Sequence, residues 1–247
     1  MKRVIILQAR MTSTRLPGKV LMDLAGRPML AQQLRRLVLC RQADEIVVAT
    51  TTNATDDPVV AVARAENVRW FRGSESDVLG RYIGAAREAK ADVVVRVTAD
   101  CPLIDPEESS RVIEELTAHR EQCDYASNVV QRTFPQGLDT EVMYADTLER
   151  LGRLAQSAPA REHVTYFILN ERPELFGIHS VTDVENNADL RWTVDVPQDL
   201  EMVHRLYEEL GLGERAVGYR ELLAYVRAHP AVAAVNAGVQ QKRVPSL

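Results

Sequence analysis

The chain has 247 residues, 46% of them hydrophobic and 26% charged, with a net charge of −5. That length supports one large α/β domain, and the acidic balance argues against a general nucleic-acid binder, so any anion site has to be local. No apolar run approaches the ~18 residues of a membrane helix, and the opening residues lack the apolar core of a secretory leader. Cys40, Cys101 and Cys123 are too widely spaced for a zinc or C-x-x-C frame. The expectation is a cytoplasmic protein with reduced thiols.

Short β-rich runs alternate with helical patterns along the first half. Strands are predicted at 4–7, 45–49, 68–71, 92–97, 125–128, 140–144, 177–181 and 191–194. Several are continuous apolar runs, as expected for strands covered on both faces. Leu30, Leu34, Leu37 and Val38 share one helix face after Pro28. Asp57 before Pro58 opens a second helix, Ser76 is expected to cap a third ending near residue 89, and Asp105 caps a fourth that begins at Pro106. This alternation predicts βαβ units and a mostly parallel sheet between helical layers.

The pattern loosens after residue 120. "QRTFPQGLDTEV" reads as a loop entering a strand, and the helical stretch 145–172 is expected to break near Pro159. Helices over 197–210 and 219–228 follow, the first ended by Gly211 and Gly213. The expected organisation is one domain over 1–235, elaborated between 130 and 185, and a poorly ordered tail over 236–247.

In a parallel α/β sheet, ligands collect beyond the carboxyl ends of the strands. After the first strand comes "LQARMTSTRLPGK", with Arg10, Arg15 and Lys19 among Ser, Thr, Pro and Gly. It is neither a Walker A loop nor G-x-G-x-x-G. Composition leaves two readings open: an exposed basic loop, or a polyphosphate cradle completed by backbone N–H groups and Ser13. In "VVVRVTADCPLID", Asp100 follows a strand and suits either Mg2+ or a turn. Asp195 in "LRWTVDVPQDL" likewise suits either a metal or a helix cap. Two carboxylates facing three cations describe nucleotidyl or phosphoryl transfer. Asn128, Asp139, Glu141, Arg161 and His163 are candidate acceptor-site groups. Arg96, inside an apolar strand, requires a partner, and Trp70 and Trp192 are expected in the core.

Taken together, these segments resemble the cytidylyltransferase family that makes CMP-activated sugars, including the Kdo and acylneuraminate enzymes, and most of all its spore-coat polysaccharide branch. The opening loop is similar to the family's A-R-x-x-S-x-R-x-P-x-K at Ala9, Arg10, Ser13, Arg15, Pro17 and Lys19. "EIVVATTTN", "FRGSESDVLGRY", "VRVTADCPLID", "GLDTEV", "REHVT" and "LRWTVDVPQDL" follow in the family's order. The resemblance implies a Rossmann-like three-layer α/β/α sandwich with a mixed, mostly parallel sheet, the nucleotide-diphosphosugar transferase fold. It also implies Mg2+, CTP as substrate and a homodimer, with residues 130–185 serving acceptor and dimer contacts.

By that carry-over Arg10, Arg15 and Lys19 hold the triphosphate. Gln8, Ala9, Thr50, Ser74 and Asp77 line base and ribose, and Asp100 and Asp195 bind Mg2+. Gln8 departs from the Pro usual in the Kdo and sialate enzymes, which leaves the acceptor open between a sugar acid and a sugar phosphate. A GTP- or UTP-dependent enzyme and a non-catalytic nucleotide-sugar binder on the same fold are the alternatives.

Overall fold

A computed structural model describes residues 1–240. From the N-terminus, β1 (Arg3–Gln8) leads through the basic loop and a single 3-10 turn (Lys19–Leu21) into a two-strand ribbon, β2 (Asp23–Leu24) and β3 (Arg27–Pro28). Then come α1 (Met29–Leu37), β4 (Glu45–Thr51), α2 (Asp57–Ala65), β5 (Arg69–Gly73), α3 (Val78–Ala89), β6 (Val93–Thr98) and α4 (Pro106–Ala118). The second half adds β7 (Tyr125–Ser127), β8 (Glu141–Tyr144), α5 (Ala145–Leu154), α6 (Ala158–Glu162), β9 (Ile178–Ser180), α7 (Pro197–Leu210), α8 (Tyr219–Ala228) and α9 (Pro230–Ala234).

The sheet order is β5-β4-β1-β6-β8-β7-β9. Strands β5, β4, β1 and β6 are parallel, β8 runs antiparallel to both β6 and β7, and β9 pairs parallel with β7. Residue alternation on β1 shows why both faces are covered. Ile5 and Leu7 join the core under α1, α2 and α4, while Val4 and Ile6 join the core under α3, α5 and α6. A third core, around Trp192, Met202, Leu206 and Tyr219, packs α7 and α8 against the β2–β3 ribbon. The expected mixed-sheet sandwich is present, and no helix among the described residues is long and apolar enough to cross a membrane.

Several local expectations need correction. Residues 191–194 are not a strand: one parallel bridge, Gln136 to Arg191, is their only ladder contact among the described residues. The segment is held instead by Val194 N–H and Thr193 Oγ1, which donate to Asp100 O at 2.7 and 3.1 Å. Asp77, not Ser76, caps α3, accepting from Gly80 N–H at 2.9 Å. The break in the 145–172 stretch falls at 155–157, where Ser157 caps α6, and Pro159 sits in that helix's first turn. Trp192 is core, whereas Trp70 is only half-buried beneath the Arg64 guanidinium. Asn236, at the start of the expected tail, is 3% exposed and hydrogen-bonded, and residues 241–247 lie outside the described residues. All three cysteines are buried free thiols.

Candidate active site

The basic loop leaves β1 at the carboxyl edge of the sheet. Ala9 N–H still donates to Ala49 O and Ala99 N–H to Gln8 O, so β1, β4 and β6 end together. Beyond them the loop is fastened by Asp56, a buried carboxylate that accepts from Met11 N–H at 2.7 Å and from Thr51. Ser13 Oγ accepts from Leu16 N–H at 3.4 Å and shapes the turn, and Gly18, at φ 69°, starts the 3-10 turn that aims Lys19 inward.

Lys19 is buried, and its ammonium joins two distant segments. Nζ donates to Val194 O at 2.7 Å and to Asp195 Oδ1 at 2.9 Å, and lies 3.5 Å from Asp100 Oδ2. Arg15 reaches Asp195 Oδ2 at 2.9 Å, and Arg10 stands 3.8 Å from Glu75. Each cation of the loop therefore rests on a carboxylate. Glu75 also accepts from Thr12 and Asn53, each at 2.7 Å, which ties the loop to the turns after β4 and β5.

Asp100 follows β6 directly. Thr98 Oγ1 donates to its Oδ1 at 2.6 Å, and Cys101 Sγ does so at 3.5 Å. Burial pushes the Asp100 carboxyl up, but the Lys19 charge and these hydrogen bonds together hold it below the ordinary carboxylate value. Asp195 arrives because the Asp100 carbonyl anchors residues 193 and 194. The two acids thus share one rim, as read from the sequence.

Arg191 and Asp199 went unrecognised as site residues. Arg191 Nη2 donates to Asp195 Oδ2 at 2.9 Å and to Asp199 Oδ2 at 3.0 Å, while Nε reaches Asp199 Oδ1 at 2.9 Å. Asp199 accepts in addition from the backbone of Asp195 and Val196 and from Asn236 Nδ2. Burial works against the Asp199 carboxylate, yet Arg191 and these donors keep its pKa lowered. The signal was present in the sequence: a charge inside "LRWTV" demands a buried partner, and i+4 and i+8 both supply an acid.

The remaining expected positions divide into two sets. Thr50 is fully buried with Oγ1 unpartnered among the described residues. Ser74 Oγ accepts from Asp77 N–H at 3.1 Å, and Asp77 itself is ion-paired with Arg161. Toward β8, Arg96 finds the partner it required in Glu141, which also accepts from Tyr125 OH at 2.6 Å. Asp139 takes a two-pronged bond from Arg132 at 2.6 and 2.8 Å. Asn128 is committed to backbone, donating to Leu138 O at 2.7 Å and accepting from Thr140 N–H at 2.9 Å. His163 follows α6, its ring tilted against Tyr166 at 6.5 Å.

A cation-rich loop set against two carboxylates on one rim, at the edge of a mixed sheet between helical layers, defines a nucleotidyltransferase. The chain belongs to the cytidylyltransferase family, whose profile matches residues 4–226. It is 34% identical to an uncharacterized protein of Methanocaldococcus jannaschii over 98% of this chain and 97% of that one. It is 33% identical to the spore coat polysaccharide biosynthesis protein SpsF of Bacillus subtilis, covering 92% of this chain and 95% of SpsF. Among solved structures, a cytidylyltransferase from Leptospira borgpetersenii superposes with a TM-score of 0.90 at 28% identity, over 98% of this chain and 100% of that one. A CMP:2-keto-3-deoxy-manno-octonic acid synthetase complexed with CTP shares the fold, with a TM-score of 0.65 at 19% identity over 85% and 100% of the two chains.

Proposed function

We propose that the chain transfers CMP from CTP to a sugar acceptor in a Mg2+-dependent reaction that supplies surface polysaccharide or glycoconjugate synthesis. The observation that carries this reading is Lys19 Nζ lying between Asp100 and Asp195. The same rim offers cations for a triphosphate and hard oxygen donors for the metal that accompanies it. The likeness to SpsF supports the sugar acceptor and the polysaccharide role.

The donor set fits Mg2+. Asp195 Oδ2 is held by Arg15 and Arg191, while Asp195 Oδ1 and Asp100 Oδ2 both face the one cationic atom of Lys19. Asp100 and Asp195 would hold the metal, which when bound withdraws charge from the phosphate oxygens. Lys19, Arg15 and Arg10 exchange their carboxylates for phosphate oxygens, which bind guanidinium forks in pairs. Thr98 keeps Asp100 oriented. Thr50, Gln8 and Ala9 border the nucleoside, with Ser74 and Asp77 shaping the turn beside it. An acceptor oxygen then forms a bond to the α-phosphorus as the bond to pyrophosphate breaks; a hydroxyl acceptor gives its proton to solvent, while a phosphate dianion has none to lose.

Asn128, Asp139, Glu141, Arg161 and His163 belong to the acceptor side of this proposal, and the acceptor is a sugar acid or a sugar phosphate. A cytoplasmic homodimer completes the reading, on the strength of the family likeness. Incubation with CTP, Mg2+ and a panel of sugar acids and sugar phosphates, with mass detection of CMP-linked products, tests it. A CMP-sugar formed with pyrophosphate release is the expected result. Turnover of GTP or UTP in preference to CTP, or no turnover of CTP with any of these acceptors, would overturn it.

A further inference from the structure

Glu115 and His119 stand one helical turn apart at the C-terminal end of α4, a spacing that puts both on one face. The edge strand β9 brings His179 against them. His179 Nε2 lies 3.2 Å from Glu115 Oε2, and His119 Nδ1 lies 3.6 Å from the same oxygen. The two imidazoles stack with centroids 4.7 Å apart and planes 19° from parallel. One donor atom from each of the three residues lies within 4.8 Å of the other two. The nucleotide rim is at the opposite end of α4, a helix about 20 Å long.

We propose that Glu115, His119 and His179 bind a borderline divalent transition metal, Zn2+ foremost, which clamps the end of α4 to the edge strand. Donors at about 2.0–2.2 Å from a tetrahedral Zn2+ stand about 3.4 Å apart. The separations of 3.2 and 3.6 Å around Glu115 Oε2 bracket that value. Two imidazoles and one carboxylate select Zn2+, Ni2+, Co2+ or Cu2+ over Mg2+, the reverse of the all-oxygen pair Asp100 and Asp195.

The ring nitrogens can be assigned. His119 Nδ1 lies 2.9 Å from Glu115 O, a carbonyl that only accepts, so in the metal-free protein this nitrogen carries the hydrogen. Metal binding there takes the ring in its other neutral tautomer, and His179 does the same at Nε2. Cys123, buried on the adjoining turn, is not a further ligand. Its Sγ donates to Tyr125 O at 3.3 Å, and burial pushes its thiol up.

The test uses the full chain, stripped of metal by a chelator and titrated with Zn2+ by calorimetry and thermal shift. One equivalent should bind and raise Tm, whereas Mg2+ at equal concentration should not reproduce the shift. His119→Ala and His179→Ala should each weaken Zn2+ binding by about tenfold or more. His179→Gln, which keeps the side chain's bulk, should do the same with the fold retained. CTP-dependent pyrophosphate release in Mg2+ should be unchanged in all three variants, which separates this site from the nucleotide rim. The absence of saturable Zn2+ binding in the wild type, or its persistence in the His119→Ala/His179→Ala double variant, would overturn the proposal.

Discussion

Arg191 Nη2 sits 2.9 Å from Asp195 Oδ2 and 3.0 Å from Asp199 Oδ2, joining a rim carboxylate to one that never reaches the surface. Arg15 and Lys19 also hold Asp195, but both belong to the loop proposed to meet the triphosphate. Under that proposal Arg191 is the partner that would remain once they engage phosphate.

Arg191→Lys should therefore lower kcat by about tenfold or more, because one ammonium cannot replace a fork that spans two carboxylates. A merely structural loss would appear in Tm alone. The discriminating readout is the Mg2+ concentration dependence, which should move in this variant while the CTP KM changes little. An unchanged metal dependence would remove Arg191 from the site.

Lys19→Ala should cost about 10²-fold or more in kcat/KM for CTP, the usual effect of deleting one preorganised donor to a phosphate-like oxyanion. Stability should fall less than for an ordinary buried ion pair, since Arg15 and Arg191 continue to compensate Asp195. Steady-state kinetics and a melting curve on the same preparation check both halves.

Acid should weaken the fold through Asp199. Its pKa is lowered in the folded chain, so its contribution is complete above the ordinary unfolded value of ~3.9 and is lost as pH falls through the lower folded value. Asp183 adds the same sign: burial opposes its charge, but Arg220 and the Tyr219 hydroxyl hold it lowered. Melting temperature followed from about pH 5 downwards should drop more steeply in the wild type than in Asp199→Asn.

Gly137 should not tolerate a side chain. Its φ is +108°, and an added Cβ would sit 2.5 Å from Thr193 N and 2.6 Å from Trp192 C. Gly137→Ala is expected to destabilise by about 2–3 kcal/mol. The displaced backbone belongs to the segment that delivers Asp195, so activity should fall further than the loss of folded protein explains. Activity normalised to the folded fraction measures this.

How much of this was legible depended on whether the signal was local. The runs behind β1, β4 and β6 are apolar and bounded by turn residues, and their strand ends fixed where the basic loop and Asp100 would stand. Asp195 shares a rim with Asp100 although 191–194, which looks like a strand by composition, is held instead by the Asp100 carbonyl. Its neighbours are only half legible: the sequence offers Arg191 an acid at i+4 and at i+8, but whether the fork takes one, both or neither depends on packing around Gln136 and Asn236. Asp139 and Glu141 stand out by residue type, but the pairing of Glu141 with Arg96 is a cross-strand fact of β6 and β8, and that of Asp139 with Arg132 depends on the path of the loop between them.

Asn236 donates to Arg191 O at 3.0 Å and to Asp199 Oδ1 at 2.9 Å, from the last turn before the C-terminal segment. This bond sets an order on biosynthesis. A chain still being translated can pair β1 with β4 and β6 and assemble the loop and Asp100 well before its end is made. The Arg191–Asp199 bracket behind Asp195 gains its last partner only after residue 236 has cleared the ribosome, so a prematurely terminated chain would carry the rim without this latch.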